Sequence, residues 1–423
     1  MSAGPLPRIL VTDAGRGSAL AIIRSLGRRG WHVVAADADR GSPGFHSRYA
    51  SGRVRYPSPA KDAAATVDRL HAAAIEHGID LIIPVTDEVL LPLSEARDRF
   101  AGVCALAIPS AEALAVVGDK AATLELAARL GIPVPRSCLV TTAAEAIERA
   151  VDFRHPIVVK PVTSRVRTDA GAMTAFSVSY ADGPASLGEA MAGLEGRTAA
   201  LLQEYCPGEA YGVELLLADG RPVEAFQHHR LREVPFTGGA SAYRESVPLD
   251  PILLDYAVRL LAELQWTGLA MVEFKVGPDG PRLMEINGRV WGSLPLAVRC
   301  GIDFPAGLAE LILDGPTPGV SDPSSGYQPT GYQPAGYQPA AYPTGIRMHN
   351  LDLEIAWILS VLRGKRRHPF LPIPPRRAAF GAALGLMRPG ALYDVQTWTD
   401  PRPGLADVAR IARKLVGKLA AER

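Results

Sequence analysis

The residue types that could do chemistry gather in one stretch, GLAMVEFKVGPDGPRLMEINGRVWGS, residues 268–293. AMVEFKV and RLMEIN flank GPDGP, a turn composition, so the stretch reads as an antiparallel hairpin. Centred on Asp279, the hairpin places Glu273 directly opposite Glu285. Opposed residues on one face have Cβ atoms about 4.5–5.5 Å apart, and like charges there are destabilising. Strand alternation puts Asn287 on the face of Glu285 and gives Val272, Phe274, Met284 and Ile286 to the other, the expected core face. Two carboxylates and an amide on one face call for a cation. Mg²⁺ (or Mn²⁺) suits them, being a hard ion that takes carboxylate and amide oxygens together with phosphate. Arg289, two steps beyond Asn287, could reach an anion held by that metal. The competing reading is a hairpin whose glutamates face water, beside Lys275.

The elements that must position this hairpin begin with an alternation of apolar strands and amphipathic helices. RILVTDAG, WHVVAADAD and DLIIPVTDE read as strands, separated by helical patterns, and this order implies a parallel α/β sheet. Ligands of such sheets sit beyond the carboxyl ends of the strands, here Asp13–Gly17, Asp37 and Thr86–Glu88. GRGSAL partly matches a dinucleotide fingerprint but has Leu20 where the third glycine belongs; a tight structural turn is the favoured reading over a substrate- or phosphate-lining loop or a dinucleotide site. From Ser110 a helical run precedes a compact α+β unit, and a larger antiparallel piece follows up to the hairpin.

The bulk numbers exclude several classes. The 423 residues carry a formal charge of +1, which gives no reason to invoke nucleic acid, and hold no apolar run near the roughly 20 residues of a membrane span. Four scattered cysteines without a CxxC pair read as reduced thiols, and the start lacks a secretory pattern. A cytoplasmic protein is expected. Residues 325–343 repeat Gly-Tyr-Gln-Pro, a composition that reads as an extended linker, with a Pro/Tyr recognition motif as the alternative. Beyond it, residues 340–423 hold 14 Lys/Arg against six Asp/Glu. In GLADVARIARKLVGKL, Leu405, Val408, Ile411, Leu415 and Leu419 share a helical face, with Arg410, Arg413, Lys414 and Lys418 largely off it. Packing onto the body is favoured, and peripheral contact with an anionic membrane is the alternative.

The hairpin, with three upstream motifs in order, resembles the ATP-grasp superfamily, in particular biotin carboxylase, the large subunit of carbamoyl phosphate synthetase and amino-acid ligases. The resemblance covers roughly residues 8–315. VEFK…PRLMEINGRVWGS is similar to that family's Glu-x(11)-Glu-x-Asn magnesium signature followed by arginine; GDK, VVKP and LLQEYCPGEAYGVELL resemble its phosphate lysines and adenine hinge. The implied architecture is α/β and α+β: a Rossmann-like pre-ATP-grasp domain (1–109), a linker helix and lid (110–205), a catalytic domain (206–318), the low-complexity linker (319–345) and a small helical, basic extension (346–423). The resemblance implies ATP and Mg²⁺. Lys120 and Lys160 would hold phosphates, with Gln203, Glu204, Tyr205 and Cys206 around adenine and Glu209 at the ribose. Glu273, Glu285 and Asn287 would carry the metal, and Arg289 would stabilise the transferring phosphoryl group. One departure is the lid loop PVTSRVRTDAGAM, which has a single glycine, Gly171, and two arginines, Arg165 and Arg167, where the family is glycine-rich.

The expected reaction joins a small-molecule carboxylate to an amine through an acyl phosphate. Its alternatives are bicarbonate phosphorylation of the carboxylase or carbamoyl phosphate synthase type, and a non-catalytic ATP-binding role; neither a duplicated synthetase core nor a biotin-carrier MKM motif is present. QHHRLREVPFTGGASAYRES supplies a cationic cluster for an anionic substrate, with His228, His229, Arg230 and Arg232 at its start. Ser241 and Arg244 add contacts, Arg244 with an expected catalytic part. The reading of this segment as an exposed polar connection stays beside it, and zinc on the His pair is disfavoured for want of further ligands. Homodimerisation is left open.

Overall fold

The expected strand–helix alternation forms a five-stranded parallel sheet in a computed structural model that describes residues 6–162, 165–167, 173–175, 178–236, 238–314, 337, 339–363 and 374–421. Its order is Gly52–Arg55, His32–Asp37, Arg8–Val11, Leu81–Ile83, Ala105–Leu106. Of the two outer strands, Gly52–Arg55 carries no apolar run, while Ala105–Leu106 sits within the apolar VCALAI. Alternation along the central strands divides their side chains between two cores. Ile9, Val11, Val33 and Ile83 meet the helix Gly17–Arg28, while Leu10, Val34 and Ile82 meet the helices Ala63–His77 and Asp87–Glu95. The first core continues into Phe226, Met271 and Trp291, so the parallel sheet's helix packs directly on the second half of the molecule. Fully burying one such large apolar side chain stabilises by roughly 1.5–3 kcal/mol.

The helical run after Ser110 breaks in two. Asp119 accepts hydrogen bonds from the backbone N–H groups of Ala121 and Ala122 at 2.8 and 3.1 Å, an N-cap that ends one helix and starts the next at Lys120. The expected lid is a four-stranded antiparallel sheet, Ser179–Ala181, Ile157–Pro161, Ala200–Glu204, Ser137–Val140, with the helices Ala143–Arg149 and Pro184–Ala192 on one face. Gly171 lies outside the described residues, and the side chains of Arg165 and Arg167 do as well.

The antiparallel half is a seven-stranded sheet ordered Gly280–Asn287, Gly268–Gly277, Glu209–Ala218, Arg221–Val234, Ala240–Ser246, Arg347–His349, Leu392–Tyr393. Its last two strands come from the extension expected to be purely helical, which therefore completes the sheet. The extension is also bound to the first domain. Buried Asp400 accepts from Arg24 Nε (3.0 Å), Ser47 Oγ (2.7 Å) and the Arg48 N–H (3.0 Å). The helix Pro401–Ala421 packs on the 3-10 turn Pro43–His46, but not through the face expected. Gly404, Asp407 and Ile411 point inward while Leu405 and Val408 are exposed. The rotation follows from Asp407, whose carboxylate takes hydrogen bonds from Gln396 and Arg410 beneath the helix. Two of the helix's cations, Lys414 and Arg410, pair with Asp352 at 2.8 and 3.6 Å.

Among the described residues no helix is long and apolar enough to cross a membrane. The four cysteines are unpaired, with Cys206 and Cys300 buried. Most of the GYQP repeat lies outside the described residues. Tyr342 at its end donates to the Val247 carbonyl at 2.8 Å and stacks obliquely on Phe226.

Candidate active site

The hairpin has the expected register at its open end and not at its tip. Met271 faces Asn287, Val272 faces Ile286 and Glu273 faces Glu285. Past Glu273 the register shifts, so Phe274 faces Leu283 and a two-residue turn, Pro278-Asp279, closes the hairpin. The bulge falls at Met284. It gives the core position to Leu283, which is fully buried, and turns Met284, expected in the core, into the cleft.

On the cleft face the Asn287 amide donates to Glu273 Oε1 at 2.9 Å and to Glu285 Oε1 at 3.4 Å, so three oxygen-bearing side chains converge on one point. The acidic pair is not without a protein cation. Arg230, from the neighbouring long strand, forms an ion pair with Glu273, and binds Glu233 at 3.3 Å and the Gly239 carbonyl at 3.2 Å. Burial opposes its charge, but Glu273 and Glu233 together hold its pKa above the ordinary value. Arg230, expected to contact substrate, is thus part of the cleft floor, and Lys275 sits 3.7 Å from Glu233 beside it.

Two lysines converge on the other carboxylate. Lys160 lies on the lid strand Ile157–Pro161 and Lys120 at the start of its capped helix. Burial pushes both below the usual lysine range, with Glu285 opposing it for each and the Lys120 ammonium adding to the depression of Lys160. Two partly desolvated ammonium groups close together favour an anion between them. Arg289 lines the same wall as Lys120, Glu285 and Asn287, and its Nε donates to Asp87 at 3.0 Å, which ties the wall to the first domain. Asp87 belongs to the strand-end segment singled out from the sequence, Thr86–Glu88. The other strand-end residues form their own network: Tyr56 Oη donates to Asp13 and accepts from its N–H, and the Gly15 N–H donates to Asp37.

Gln203, Glu204, Tyr205 and Cys206 line a recess of about 180 Å³ that also contains Lys160, Arg230, Glu273 and Glu285. Its walls are apolar near the hinge, with Val158, Val178, Tyr180, Ala210, Phe274 and Met284, and charged at the far end. The antiparallel lid pairing sets Gln203 beside Val158 and Leu201 beside Lys160, so hinge and lysine share one edge. Glu209 does not line the recess; it accepts from Tyr211 Oη at 3.0 Å and lies 3.6 Å from His229. A second cleft, about 860 Å³, runs between the first domain and the outer side of the hairpin, from Asp87 and Leu91 to Lys120 and Asn287.

The rest of the expected substrate cluster is dispersed. His228 is fully buried with Glu214 Oε1 2.9 Å from its Nδ1; burial pushes the imidazole below its usual value, with Glu214 opposing. Its ring lies over Gly212, where a Cβ would come within 2.4 Å. His229, on the opposite face, stacks on Tyr211 at 4.7 Å. Arg232 binds Glu354 through two nitrogens and lies over Tyr243. Arg244 is 0 % exposed and ion-paired with Asp394 of the extension, so it is corrected from a reacting residue to a buried structural one. Ser241 Oγ is likewise buried. Glu233, Tyr180 and Met284 are the site residues the sequence reading missed. Asp87 entered it only within the strand end Thr86–Glu88, and Lys275 only as a neighbour of solvent-facing glutamates.

A metal fits this chain's donors. They are hard oxygens, two carboxylates and an amide that presents Oδ1 after rotation, as a small divalent ion requires. Among the described residues no group of three or more His, Cys, Asp or Glu is arranged for a metal, so Glu273, Glu285 and Asn287 would hold an ion together with oxygens from outside the chain. The zinc alternative at His228 finds no support in that geometry.

This arrangement of parallel domain, lid and antiparallel sheet is the ATP-grasp fold. Residues 197–332 match a family described as ATP-grasp in the biosynthetic pathway with Ter operon. Biotin carboxylase from Campylobacter jejuni superposes with a TM-score of 0.58 at 17 % identity, over 74 % of this chain and 71 % of that one. An ADP complex of PurK, N5-carboxyaminoimidazole ribonucleotide synthetase, superposes with 0.60 at 14 % identity, over 92 % and 98 %. An L-amino acid ligase from Bacillus licheniformis gives 0.57 at 17 % identity, over 74 % and 76 %. In sequence, pyruvate carboxylase 1 of Caenorhabditis elegans is 28 % identical over 300 residues, which is 66 % of this chain but only 25 % of that enzyme's length.

Proposed function

We propose that the chain is an ATP- and Mg²⁺-dependent ligase that activates a carboxylate as an acyl phosphate and transfers the acyl group to an amine. The observation that carries this is a pair of adjoining clefts that share Glu285: Lys160, Glu273 and the hinge-lined apolar recess lie in one, and Lys120, Asn287 and Arg289 in the other, with both lysines desolvated by burial. Adenine fits the recess beside Gln203–Cys206, which leaves the phosphates toward Lys160 and Lys120. Glu273, Glu285 and Asn287 would hold the metal, which supplies charge neutralisation across the phosphates. The substrate carboxylate oxygen attacks the γ-phosphorus and the bond to the ADP oxygen breaks; an amine nitrogen then attacks the acyl carbon, phosphate leaves and the nitrogen loses a proton. Positioning and electrostatics account for most of the catalysis of such transfers. Arg230 holds Glu273 in place, and Arg289, anchored by Asp87, stabilises charge on the phosphoryl side. Neutral His228 and sealed Arg244 take no part.

The second reading, phosphorylation of bicarbonate, is favoured by the carboxylase among the sequence relatives. ADP release over a panel of carboxylic acids and amines separates the two. Stimulation by one acid–amine pair supports the ligase and dependence on bicarbonate alone supports the carboxylase. ATP binding without turnover under any pair would leave a nucleotide-binding regulatory protein. A cytoplasmic location accords with this small-molecule chemistry and belongs to the same proposal.

A further inference from the structure

The helix Arg376–Leu386 is amphipathic the wrong way round. It buries Ala379 and Ala382, with Ala378, against Trp357, Ile358 and Val361 of the helix Leu351–Arg363. Its outer stripe is Phe380, Leu384 and, one residue past its end, Met387, at 64, 66 and 72 % exposure. A surface helix ordinarily turns its large apolar side chains to the core. Here small residues face inward and the large ones face out at spacings of four and three, one continuous stripe. The surrounding region shares the trait. Among the described residues, eight of the sixteen exposed large apolar side chains lie in residues 346–423.

We infer that this helix docks on an anionic membrane surface. Charge selects that occupant. Arg376 and Arg377 are exposed at one end of the stripe and Arg388 at the other. Residues 355–393 contain seven Lys/Arg and no Asp/Glu. Apolar side chains flanked by cations match the boundary between acyl chains and anionic headgroups, where the former insert and the latter pair. A second copy of this chain docked face to face would bring the same cations together, and like charges juxtaposed across an interface are strongly unfavourable. The helix Pro401–Ala421, for which such a contact was the alternative reading of the sequence, has Lys414 and Arg410 occupied by Asp352.

The test is co-sedimentation of the full-length protein with phosphatidylcholine vesicles, with and without phosphatidylserine. The wild type binds the phosphatidylserine vesicles, ignores the neutral ones and is released by high salt. The variant Phe380→Ser/Leu384→Ser melts at the wild-type temperature, because both side chains are exposed, and binds at least about tenfold more weakly. Arg376→Gln/Arg377→Gln weakens binding and flattens its salt dependence. Equal pelleting of wild type and both variants, binding indifferent to phosphatidylserine, or a wild-type dimer that dissociates in Phe380→Ser/Leu384→Ser without vesicle binding would each overturn the inference.

Discussion

Two clusters of charge lie on the same face of the seven-stranded sheet, on neighbouring strands, and they are built in opposite ways. Arg230 pairs across the strands with Arg244, yet Arg230 reaches Glu273 and an open cleft while Arg244 reaches Asp394 and is sealed. What separates them is cover. Over the first cluster stands the lid; over the second stand the extension and the first domain. Gly17 lets the two meet there, since a Cβ at that position would lie 2.9 Å from Asp394 Cβ. The glycine in GRGSAL thus serves this close approach, in keeping with a structural turn. Identical side chains directly opposed in register can therefore belong to an open cleft or to sealed architecture, and the partner decides which.

Mutations can break or sharpen that contrast. The largest effect belongs to the sealed cluster. Asp394→Asn leaves the Arg244 cation buried without a counter-charge and lowers stability by about 3–5 kcal/mol in urea unfolding. Molecules still folded keep their ADP-release rate, and the double change Arg244→Met/Asp394→Leu recovers most of the loss. In the open cluster the signs reverse. Glu285→Gln lowers kcat roughly 10²–10³-fold while leaving the unfolding midpoint in place, as removal of one electrostatic contact at a reacting phosphate does.

Lys160 gives a pH test. Its pKa lies below the ordinary lysine value, so the phosphate-holding charge is present at low pH and lost as pH rises through the lowered folded value. ATP affinity by calorimetry therefore declines in a window that begins below about 10.4, the unperturbed lysine value, and Lys160→Arg moves the decline upward. The unfolded chain binds more protons than the folded one across that window, so the free protein gains stability as pH rises through it. An ATP affinity flat to the normal lysine range would show that Lys160 does not hold phosphate. The smallest effect is at the wall. Asp87→Ala frees Arg289 from a partly exposed pair, changes stability by less than about 1 kcal/mol, and shows instead as a several-fold drop in kcat/KM.

The sequence carried the hairpin almost completely because its information is local. A turn composition and period-two alternation sufficed to oppose Glu273 to Glu285. The bulge at Met284 escaped because a two-residue turn and a wider loop share the composition GPDGP. The electrostatic argument for a missing cation was only half right: Arg230 already neutralises Glu273, and what favours a metal is the convergence of oxygen donors rather than uncompensated charge. The dispersal of His228, His229, Arg232 and Arg244 was illegible for a different reason. Adjacent strand residues face opposite sides, and their partners Glu214, Tyr211, Glu354 and Asp394 come from elements that no spacing rule links to them. For the same reason the extension read only as helix packed on the body, though it supplies two strands of the sheet and four buried carboxylates, Glu354, Asp394, Asp400 and Asp407.

The central claim, that ATP and a divalent ion share the cleft over Glu273 and Glu285, can be tested without knowing the substrates. ATP is titrated calorimetrically into the wild type and Glu285→Gln, each with and without Mg²⁺. The account predicts wild-type binding that strengthens with Mg²⁺ and a variant that binds ATP with little or no Mg²⁺ dependence. Equal Mg²⁺ dependence in the two proteins would contradict it.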